Sequence, residues 1–228
     1  MHLYETHLHT SPVSKCAKAG VRQTLEFYKA QGYRGVFITN HFIDGNISDG
    51  AGDDYRTRLD FYFSDYLEGV EIGRELGIDV FLGVELSYKG TDFLVYGLPL
   101  DWWYSHPEIM DMKKSDELRL MMDSGALVVQ AHPFREASYI DHIRLFPRVV
   151  QAVEIYNACR TDFENLMAEN YAASYSLIPF AGSDNHVAEA RPILGGMQSE
   201  KPISDEADFV RGVLDRSIIP FTRLVPCK

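Results

Sequence analysis

Near the start of the chain, residues 3–10 read Leu3-Tyr4-Glu5-Thr6-His7-Leu8-His9-Thr10. The short apolar run in this stretch predicts a β-strand over residues 3–8. Side chains repeat every two residues along a strand, so His7 and His9 project to the same side of it. Two imidazoles in this arrangement can share one metal ion, but the pair taken by itself fits two structural histidines equally well.

Short apolar runs of this kind alternate with stretches of helical period along the whole chain. The runs predict strands over residues 3–8, 35–39, 79–84, 92–96, 126–131, 151–156 and 178–181, with a weaker one over 218–222. Between them, Val21, Leu25 and Tyr28 mark one face of a first helix. Thr161 and Glu164 have the spacing of a capping box at the start of a later helix. This alternation predicts an α/β fold with a mostly parallel sheet.

The composition limits the class of protein. The chain has 228 residues, of which 46% are hydrophobic, and this is enough for one core without disulfides. No repeat, low-complexity tract or linker divides it, so residues 1–228 are expected to form a single domain. The net charge is −11, from 22 Lys+Arg and 33 Asp+Glu, and it disfavours stable binding to nucleic acid or to anionic lipid. An anionic substrate therefore has to be held by local positive charge.

The cysteines and the hydropathy pattern indicate the cellular compartment in which the protein is expected. Cys16, Cys159 and Cys227 are far apart and form neither a disulfide framework nor a paired zinc-ribbon spacing. The first residues resemble no export signal, and no window approaches roughly 18 uninterrupted apolar residues. These features favour a cytoplasmic protein without a membrane span, and they leave the oligomeric state open.

The placement of polar residues at strand ends is the most informative pattern. Five of the eight histidines and two carboxylates end or follow predicted strands: His7, His9, His41, Glu85, His132, Asp184 and His186. In a parallel α/β barrel the carboxyl ends of the strands converge on one mouth, so these side chains are expected to meet. Imidazole and carboxylate donors suit Zn²⁺, Mn²⁺ or Fe²⁺, and a carboxylate such as Glu85 can bridge two ions.

Other residues carry weaker signals. For His2, His106 and His142 a structural role is favoured over metal binding, and Cys159 fits a small buried residue better than a ligand. The loop over residues 42–54 is rich in Gly and Asp. It is interpreted as a solvated turn because it lacks the twelfth-position Glu of an EF-hand, although its position after His41 also fits a lid.

Six segments, taken in order, carry a family resemblance. They are Glu5-Thr6-His7-Leu8-His9-Thr10, Thr39-Asn40-His41, Gly83-Val84-Glu85, Ala131-His132-Pro133-Phe134, Glu154-Ile155-Tyr156-Asn157-Ala158 and Gly182-Ser183-Asp184-Asn185-His186. Together they resemble the polymerase and histidinol phosphatase (PHP) superfamily nearly from end to end. The resemblance implies a distorted (β/α)7 barrel, two or three divalent transition metals and hydrolysis of phosphoesters.

The same resemblance implies a division of the ligands among the metal ions. By position, the first ion would be held by His7, His9, Glu85 and Asp184. Glu85 and His132 would hold the second ion, and His41 and His186 the third.

The chain also departs from the family pattern. Many relatives have Asp where Asn40 precedes the histidine of the second segment, and this change can alter how that imidazole is oriented. Some members have a further histidine where this chain reads Ser14-Lys15-Cys16, and others have one at the end of the fourth strand, here Val95-Tyr96-Gly97. His106 is a weak candidate to replace the histidine that is missing after the fourth strand. The sequence therefore leaves the occupancy of the third metal site open.

The metal centre that the resemblance implies suggests a mechanism. A metal-bridging hydroxide would attack phosphorus, while the cations neutralise the developing charge. Arg135 and Arg160 closely follow strand ends and could bind a phosphate bidentately, and Lys15 could do so from the first loop. A surface ion pair is the alternative for each of these cations. Asp184 or His186 could pass a proton to the leaving oxygen, and the sequence does not separate ligand from acid.

Three functional hypotheses follow. The first is a metal-dependent phosphoesterase that acts on a phosphomonoester or small phosphodiester, with histidinol phosphate or a nucleotide as the small phosphorylated substrate. The second keeps the metals and hydrolyses a C–N bond or a lactone. The third is a non-catalytic metal-binding module. A phosphate bound beside Arg135 or Arg160 would separate the first hypothesis from the second.

Overall fold

The computed structural model describes residues 1–49, 52–189 and 192–225, so Cys227 lies outside the described residues. Within these ranges the strands are β1 (His2–Glu5), β2 (Gly35–Ile38), β3 (Asp79–Tyr88), β4 (Thr91–Tyr96), β5 (Leu127–Ala131), β6 (Ala152–Asn157), β7 (Ile178–Gly182), β8 (Ile193–Ser199) and β9 (Ile219–Leu224). The helices are α1 (Val21–Ala30), α2 (Tyr55–Leu76), α3 (Leu100–Ser105), α4 (Lys114–Asp123), α5 (Asp162–Tyr175) and α6 (Glu206–Leu214), with a 3₁₀ turn over Pro107–Asp111. None of the described helices combines the length and the apolar character that a membrane span requires.

The strands form one sheet in the order β7-β6-β5-β4-β3-β2-β1-β8-β9. Beyond the end of β1, the backbone N–H of Asp184 donates to the carbonyl of His7 at 2.6 Å, and that of His9 donates to the carbonyl of Asn185 at 3.0 Å. These bonds join the chain after β1 to the chain after β7 and nearly close the sheet. The predicted distorted α/β barrel is therefore confirmed, with nine strands in the described residues instead of seven.

The prediction of a mostly parallel sheet is wrong, because four of the eight strand pairs are antiparallel. β4 returns from β3 through a tight turn at Lys89 and Gly90, both of which have a positive φ. Such a two-residue turn joins antiparallel strands. The mouth of the barrel therefore meets the beginning of β4, at Thr91 and Asp92, and not its end.

β8 was missing from the predicted strands because its sequence contains Gly195 and Gly196, and glycine ordinarily weakens a strand. Both glycines lie where other segments approach closely. A methyl group on Gly195 would lie 2.8 Å from the carbonyl oxygen of Gly182, and one on Gly196 would clash with the backbone of Tyr4. Close backbone approach thus explains the two glycines, and β8 fills the gap beside β1 at the end of the barrel opposite the mouth.

The interior of the barrel changes from apolar to polar along its axis. Its lower part is filled by large side chains from several strands and from α6, including Phe37, Phe81, Tyr96, Phe180 and Phe209. Because side chains alternate along a strand, the same inward face continues upward. It continues from Phe81 to Glu85 in β3, from Leu94 to Asp92 in β4, and from Ala152 to Glu154 in β6. Carboxylates therefore cover the aromatic core at the mouth.

Two predicted helix signals are also present. α1 buries Val21, Leu25 and Tyr28 and is followed by Gly32 at φ +79°. Thr161 and Glu164 form the complete capping box at the start of α5. This cap fixes the helix that begins just after the end of β6, on the same rim as the polar cluster.

Candidate metal centre

All seven residues predicted as metal ligands lie together at the mouth of the barrel. Their donor atoms form three overlapping groups, within each of which the atoms lie within 4.8 Å of one another. The groups are His7, His9 and Asp184; His7, Glu85 and His132; and His9, His41 and His186. Six of the seven residues are buried, and His186 is partly exposed on the pocket side.

The donors predicted for the first ion have the spacing of a coordination shell. Nε2 of His7 lies 3.1 Å from a Glu85 oxygen and 3.5 Å from Oδ1 of Asp184. Nε2 of His9 lies 3.4 Å from Nε2 of His7 and 3.4 Å from the same Asp184 oxygen. Four donors placed tetrahedrally at about 2.0–2.1 Å from a zinc-sized cation would stand about 3.3–3.4 Å apart. His7, His9 and Asp184 therefore fit a cation between them, and Glu85 lies 3.1–3.2 Å from the two imidazole nitrogens.

Glu85 connects this group to the other two. Its Oε1 lies 3.4 Å from Nε2 of His132, and its Oε2 lies 2.7 Å from Nδ1 of His41. Despite that short distance, Oε2 of Glu85 and Nδ1 of His41 are buried atoms that have no hydrogen-bond partner within the described part of the chain. Buried polar atoms are rarely left unpaired, so this pair also fits a bound cation. A carboxylate that faces four imidazoles, those of His7, His9, His41 and His132, is placed to bridge ions.

The second nitrogen of several imidazoles is held by a protein acceptor. Nδ1 of His7 lies 2.8 Å from Oε1 of Glu154, and Nδ1 of His9 lies 3.1 Å from the Ser14 hydroxyl. Nδ1 of His186 lies 2.8 Å from the carbonyl oxygen of Asp184. Such partners fix the ring and its tautomer and leave Nε2 for a metal, as is usual for ligating histidines.

The charges of the cluster shift pKa values in opposite directions. Burial alone would lower the pKa of His7, but the carboxylates of Glu154 and Asp184 outweigh it and raise that pKa well above its usual value. Burial alone would raise the pKa of Glu85, but the imidazoles of His41 and His7 hold it well below its usual range. The raised pKa of His7 favours a positive charge beside these carboxylates, and a bound cation would supply that charge instead.

Two of the candidate ligands have an unusual backbone. His132 has φ +24° and Asp184 has φ +53°, in the left-handed region that residues other than glycine rarely adopt. Each such conformation costs on the order of 1 kcal/mol and persists where the surroundings impose it. Here the backbone N–H of His132 donates to Glu154 at 2.9 Å, and that of Asp184 donates to the carbonyl of His7.

Three carboxylates that sequence reasoning missed complete the surroundings. Glu154 contacts His7, His132 and Asn157, and Glu5 accepts the backbone N–H groups of His7 and Ser183. Asp92 was missed because β4 was expected to run the other way. The alternating inward positions of β3, β4 and β6, each ending in a carboxylate, were the signal that could have revealed Asp92 and Glu154.

A pocket of about 620 Å³ opens above the cluster. Its lining includes Glu85, His132 and Asp184, together with the predicted phosphate-binding residues Arg135 and Arg160. Arg135 pairs with Asp92 at 2.9 Å, and among the described residues neither its Nε nor the Nε of Arg160 has a hydrogen-bond partner. A polar pocket that contains cations beside a metal-ligand cluster suits a small anionic molecule.

The remaining candidates lie elsewhere or have other partners. Lys15 is not among the residues that line this pocket, and its ammonium pairs with Asp49 on the surface at 2.8 Å. His106 stacks on Trp102 and takes no part in the three groups of donors. Cys16 lines the pocket, and Sγ of Cys159 donates to the carbonyl of Asp184 at 2.9 Å.

Asn40 does not contact the ring of the histidine that follows it. Its Oδ1 accepts from the backbone N–H of Thr10 at 2.7 Å and from the hydroxyl of Ser14 at 2.9 Å, while its Nδ2 donates to Asp65 at 3.2 Å. Ser14 in turn contacts Nδ1 of His9. Asn40 therefore acts on the cluster through the first loop and not through its sequence neighbour.

No protein-family model and no curated protein sequence matches the chain. Solved structures do match. A two-domain protein from Bacteroides vulgatus, described as containing a predicted PHP-like metal-dependent phosphoesterase, superimposes with a TM-score of 0.67 at 15% identity. The match covers 96% of this chain and 64% of that protein, so the chain spans less than two thirds of its length.

Two further solved structures also match almost the whole chain. A protein from Bifidobacterium adolescentis, provisionally assigned as a metal-dependent phosphoesterase, has a TM-score of 0.55 at 13% identity over 95% of this chain and 96% of its own. An amidohydrolase from Chromobacterium violaceum, solved with bound sulfate and no metal, has a TM-score of 0.53 at 14% identity over 95% and 97%. At these identities the comparisons establish the fold, which is the PHP-type barrel that the sequence motifs predicted.

Proposed function

We propose that the protein is a metal-dependent phosphoesterase of the PHP superfamily. One observation carries the proposal: Nε2 of His7 and Nε2 of His9 lie 3.4 Å apart, and each lies 3.1–3.5 Å from an oxygen of Glu85 and an oxygen of Asp184, two carboxylates that line a pocket also lined by Arg135 and Arg160. The fold shared with proteins described as metal-dependent phosphoesterases supports the same function.

The residues that would hold cations overlap with those that would act on the substrate, because Asp184 and His186 are candidates for both roles. The first ion would be held by His7, His9, Glu85 and Asp184, the second by Glu85 and His132, and a third by His41 and His186. Zn²⁺, Mn²⁺ or Fe²⁺ bound there would supply Lewis acidity toward a phosphoryl oxygen and make a water nucleophilic near neutral pH.

The side chains around the pocket bind and orient the ester. Arg160 is our candidate to donate to a phosphate oxygen, because it lines the pocket and its buried Nε meets no acceptor among the residues that the structure describes. His186 borders the pocket with Nε2 turned away from the carbonyl that holds Nδ1. His186, or Asp184 beside it, is our candidate to move a proton to the leaving oxygen.

The substrate that suits this pocket is small. A volume of about 620 Å³ lies in the range of pockets for small molecules and is too confined for a long polymer. The net charge of −11 argues in the same direction, because a chain of phosphates would be repelled outside the pocket. We therefore propose a phosphorylated metabolite such as histidinol phosphate or a mononucleotide.

The test is a screen for phosphate release by protein reconstituted with Zn²⁺, Mn²⁺ or Fe²⁺. The substrates should include histidinol phosphate, mononucleotides, bisphosphorylated nucleotides and short oligonucleotides. We expect metal-dependent release from a small monoester, abolished in Glu85→Ala and in His132→Ala while circular dichroism shows that the fold is kept. Turnover at the wild-type rate in either variant would defeat the proposal.

A second candidate function is hydrolysis of a C–N bond, and the match to a protein described as an amidohydrolase favours it. The same metal-reconstituted protein should be assayed for release of ammonia or an amine from small amides. Amide turnover without phosphate release would favour this alternative over the first. Tight metal binding with neither activity would favour a non-catalytic module.

A further inference from the structure

The loop between β5 and β6 places an exposed aromatic ring at the mouth of the pocket. Tyr139 lies in this loop, its side chain is 69% exposed, and it is part of the pocket lining. An exposed tyrosine on a general surface needs no explanation, but one that lines a polar pocket beside a metal-ligand cluster offers an open aromatic face to whatever enters.

The loop is held in place although it contains neither helix nor strand. Ile140 packs so closely against the β3–β4 turn that a methyl group on Gly90 would lie 2.9 Å from its Cγ1. Arg144 donates to the carbonyl of Lys89 at 2.8 Å, and its own carbonyl accepts from Gln130 at 2.7 Å. Tyr139 therefore projects from an anchored segment, so its ring is positioned before a ligand arrives.

A buried ion pair lies beneath the ring. Arg135 pairs with Asp92 at 2.9 Å, and the two side chains are only 17% and 4% exposed. The guanidinium carbon of Arg135 lies 5.8 Å from the centre of the Tyr139 ring, within the range of a cation–π contact. Asp92 thus fixes Arg135 and holds its guanidinium within contact distance of the ring.

We propose that Tyr139, supported by the Asp92–Arg135 pair, is a specificity-determining residue that stacks on a planar heteroaromatic group in the leaving alcohol of the substrate. This inference rests on the proposed phosphoesterase function. The phosphate binds at the floor of the pocket beside Arg160, and the rest of the ester extends toward the mouth, where the ring is exposed. The substrate class is then a phosphomonoester of a nucleoside or of a similar ring-bearing alcohol, in preference to a phosphosugar.

The test compares two phosphomonoesters that differ in the ring. Adenosine 5′-monophosphate carries a planar base, and ribose 5-phosphate carries the same phosphate and sugar without one. We expect metal-loaded wild-type protein to prefer the nucleotide, and we expect Tyr139→Ala to raise the KM for the nucleotide about tenfold while leaving kcat and the kinetics with ribose 5-phosphate unchanged. Tyr139→Phe should retain the preference, because it keeps the ring.

The matched control is Tyr175→Ala. Tyr175 is 56% exposed at the end of α5, at the opposite end of the barrel, where it contacts Tyr171. Tyr175→Ala should leave the KM and kcat for both substrates unchanged. If Tyr139→Ala lowers kcat/KM equally for both substrates, or for neither, the inference is overturned and the phosphoesterase assignment stays intact.

If neither ester is hydrolysed, the proposed function fails, and binding decides the inference separately. Calorimetry would then compare adenosine 5′-monophosphate and ribose 5-phosphate with the metal-loaded protein. A preference for the nucleotide that disappears in Tyr139→Ala and persists in Tyr139→Phe supports a stacking site. Absence of nucleotide binding, or equal binding in the wild type and Tyr139→Ala, contradicts it.

Discussion

Glu154 determines the orientation of two candidate ligands without being a ligand itself. Its Oε1 lies 2.8 Å from Nδ1 of His7, and its Oε2 accepts the backbone N–H of His132 at 2.9 Å. The same oxygen accepts from Asn157, and the residue is fully buried. A carboxylate behind an imidazole fixes the tautomer of the ring and raises its basicity toward a metal.

We therefore predict that Glu154→Gln weakens metal binding by about 10–100-fold, because an amide cannot accept all the hydrogen bonds that this carboxylate accepts. The measurement is competition for Zn²⁺ against a chelator of known affinity, with thermal unfolding followed in parallel. Glu169→Gln is the control, because Glu169 is exposed on α5. Unchanged affinity in a folded Glu154→Gln protein would show that the carboxylate does not orient His7.

Some residues of the site were predicted from the sequence and others were not, and the two sets differ in where they lie along a strand. A histidine or carboxylate that ends an apolar run stands out locally, and this is how His41 and His132 were identified. Glu154 and Asp92 lie inside strands, where the same inward face has already been assigned to the core. Their position at the mouth depends on strand direction and barrel closure, which a single local pattern does not contain.

At the scale of elements, α4 is tied to the loop after β2 by a buried group of charges. Lys114, in the first turn of the helix, lies 2.7 Å from Glu117 and 3.2 Å from Asp44. The carboxylates of Glu117 and Asp44 thus share the ammonium group of Lys114, which is buried. Burial raises the pKa of Glu117 to about 7 although Lys114 acts in the opposite direction, and Asp44 adds to the increase.

This pKa has a consequence for stability. Between pH 4.5 and pH 7 the folded protein retains a proton on Glu117 that the unfolded chain has lost, so this group makes unfolding easier as the pH rises. We predict that Glu117→Gln removes this dependence. The unfolding free energy of the variant, relative to the wild type, should increase by up to about 3 kcal/mol from pH 4.5 to pH 7.

Urea denaturation at several pH values provides the measurement. Glu71→Gln is the matched control, because Glu71 is an exposed residue that pairs with Arg74 within α2. Parallel pH profiles for the wild type and Glu117→Gln would mean that Glu117 has the same pKa in the folded and the unfolded protein, and would contradict the prediction.

The elements show where local patterns predict structure and where they do not. The apolar face of α1 and the capping box of α5 follow from residues three or four apart, so the sequence predicts both. β8 depends on close approach between Gly196 and β1, and the direction of β4 depends on the turn at Lys89 and Gly90. Contacts between distant segments decide such features, and a local period does not show them.

For the whole molecule, the cluster joins segments that are far apart in the chain. His7 and Asp184 are separated by 177 positions, and Glu85 lies between them in β3. Metal bound to such a site stabilises the folded chain, because the unfolded chain does not hold these donors together. The barrel and its metal centre should therefore be thermodynamically coupled.

We predict that removing the metal with a chelator lowers the Tm by about 5–10 °C, relative to protein in Zn²⁺ at roughly a hundred times its dissociation constant. Calorimetry of loaded and stripped protein provides the measurement. In Glu85→Gln the shift should shrink, because the carboxylate that faces all three groups is gone. A shift of the same size in this variant would place the stabilising metal elsewhere.

Anomalous diffraction from crystals of the metal-loaded protein, recorded on both sides of the metal absorption edge, would show whether side chains from distant parts of the chain gather around shared cations at the mouth of the barrel. We expect one peak among His7, His9, Glu85 and Asp184 and a second between Glu85 and His132. Loaded crystals with no peak among these side chains, or with peaks only at surface sites, would contradict this expectation.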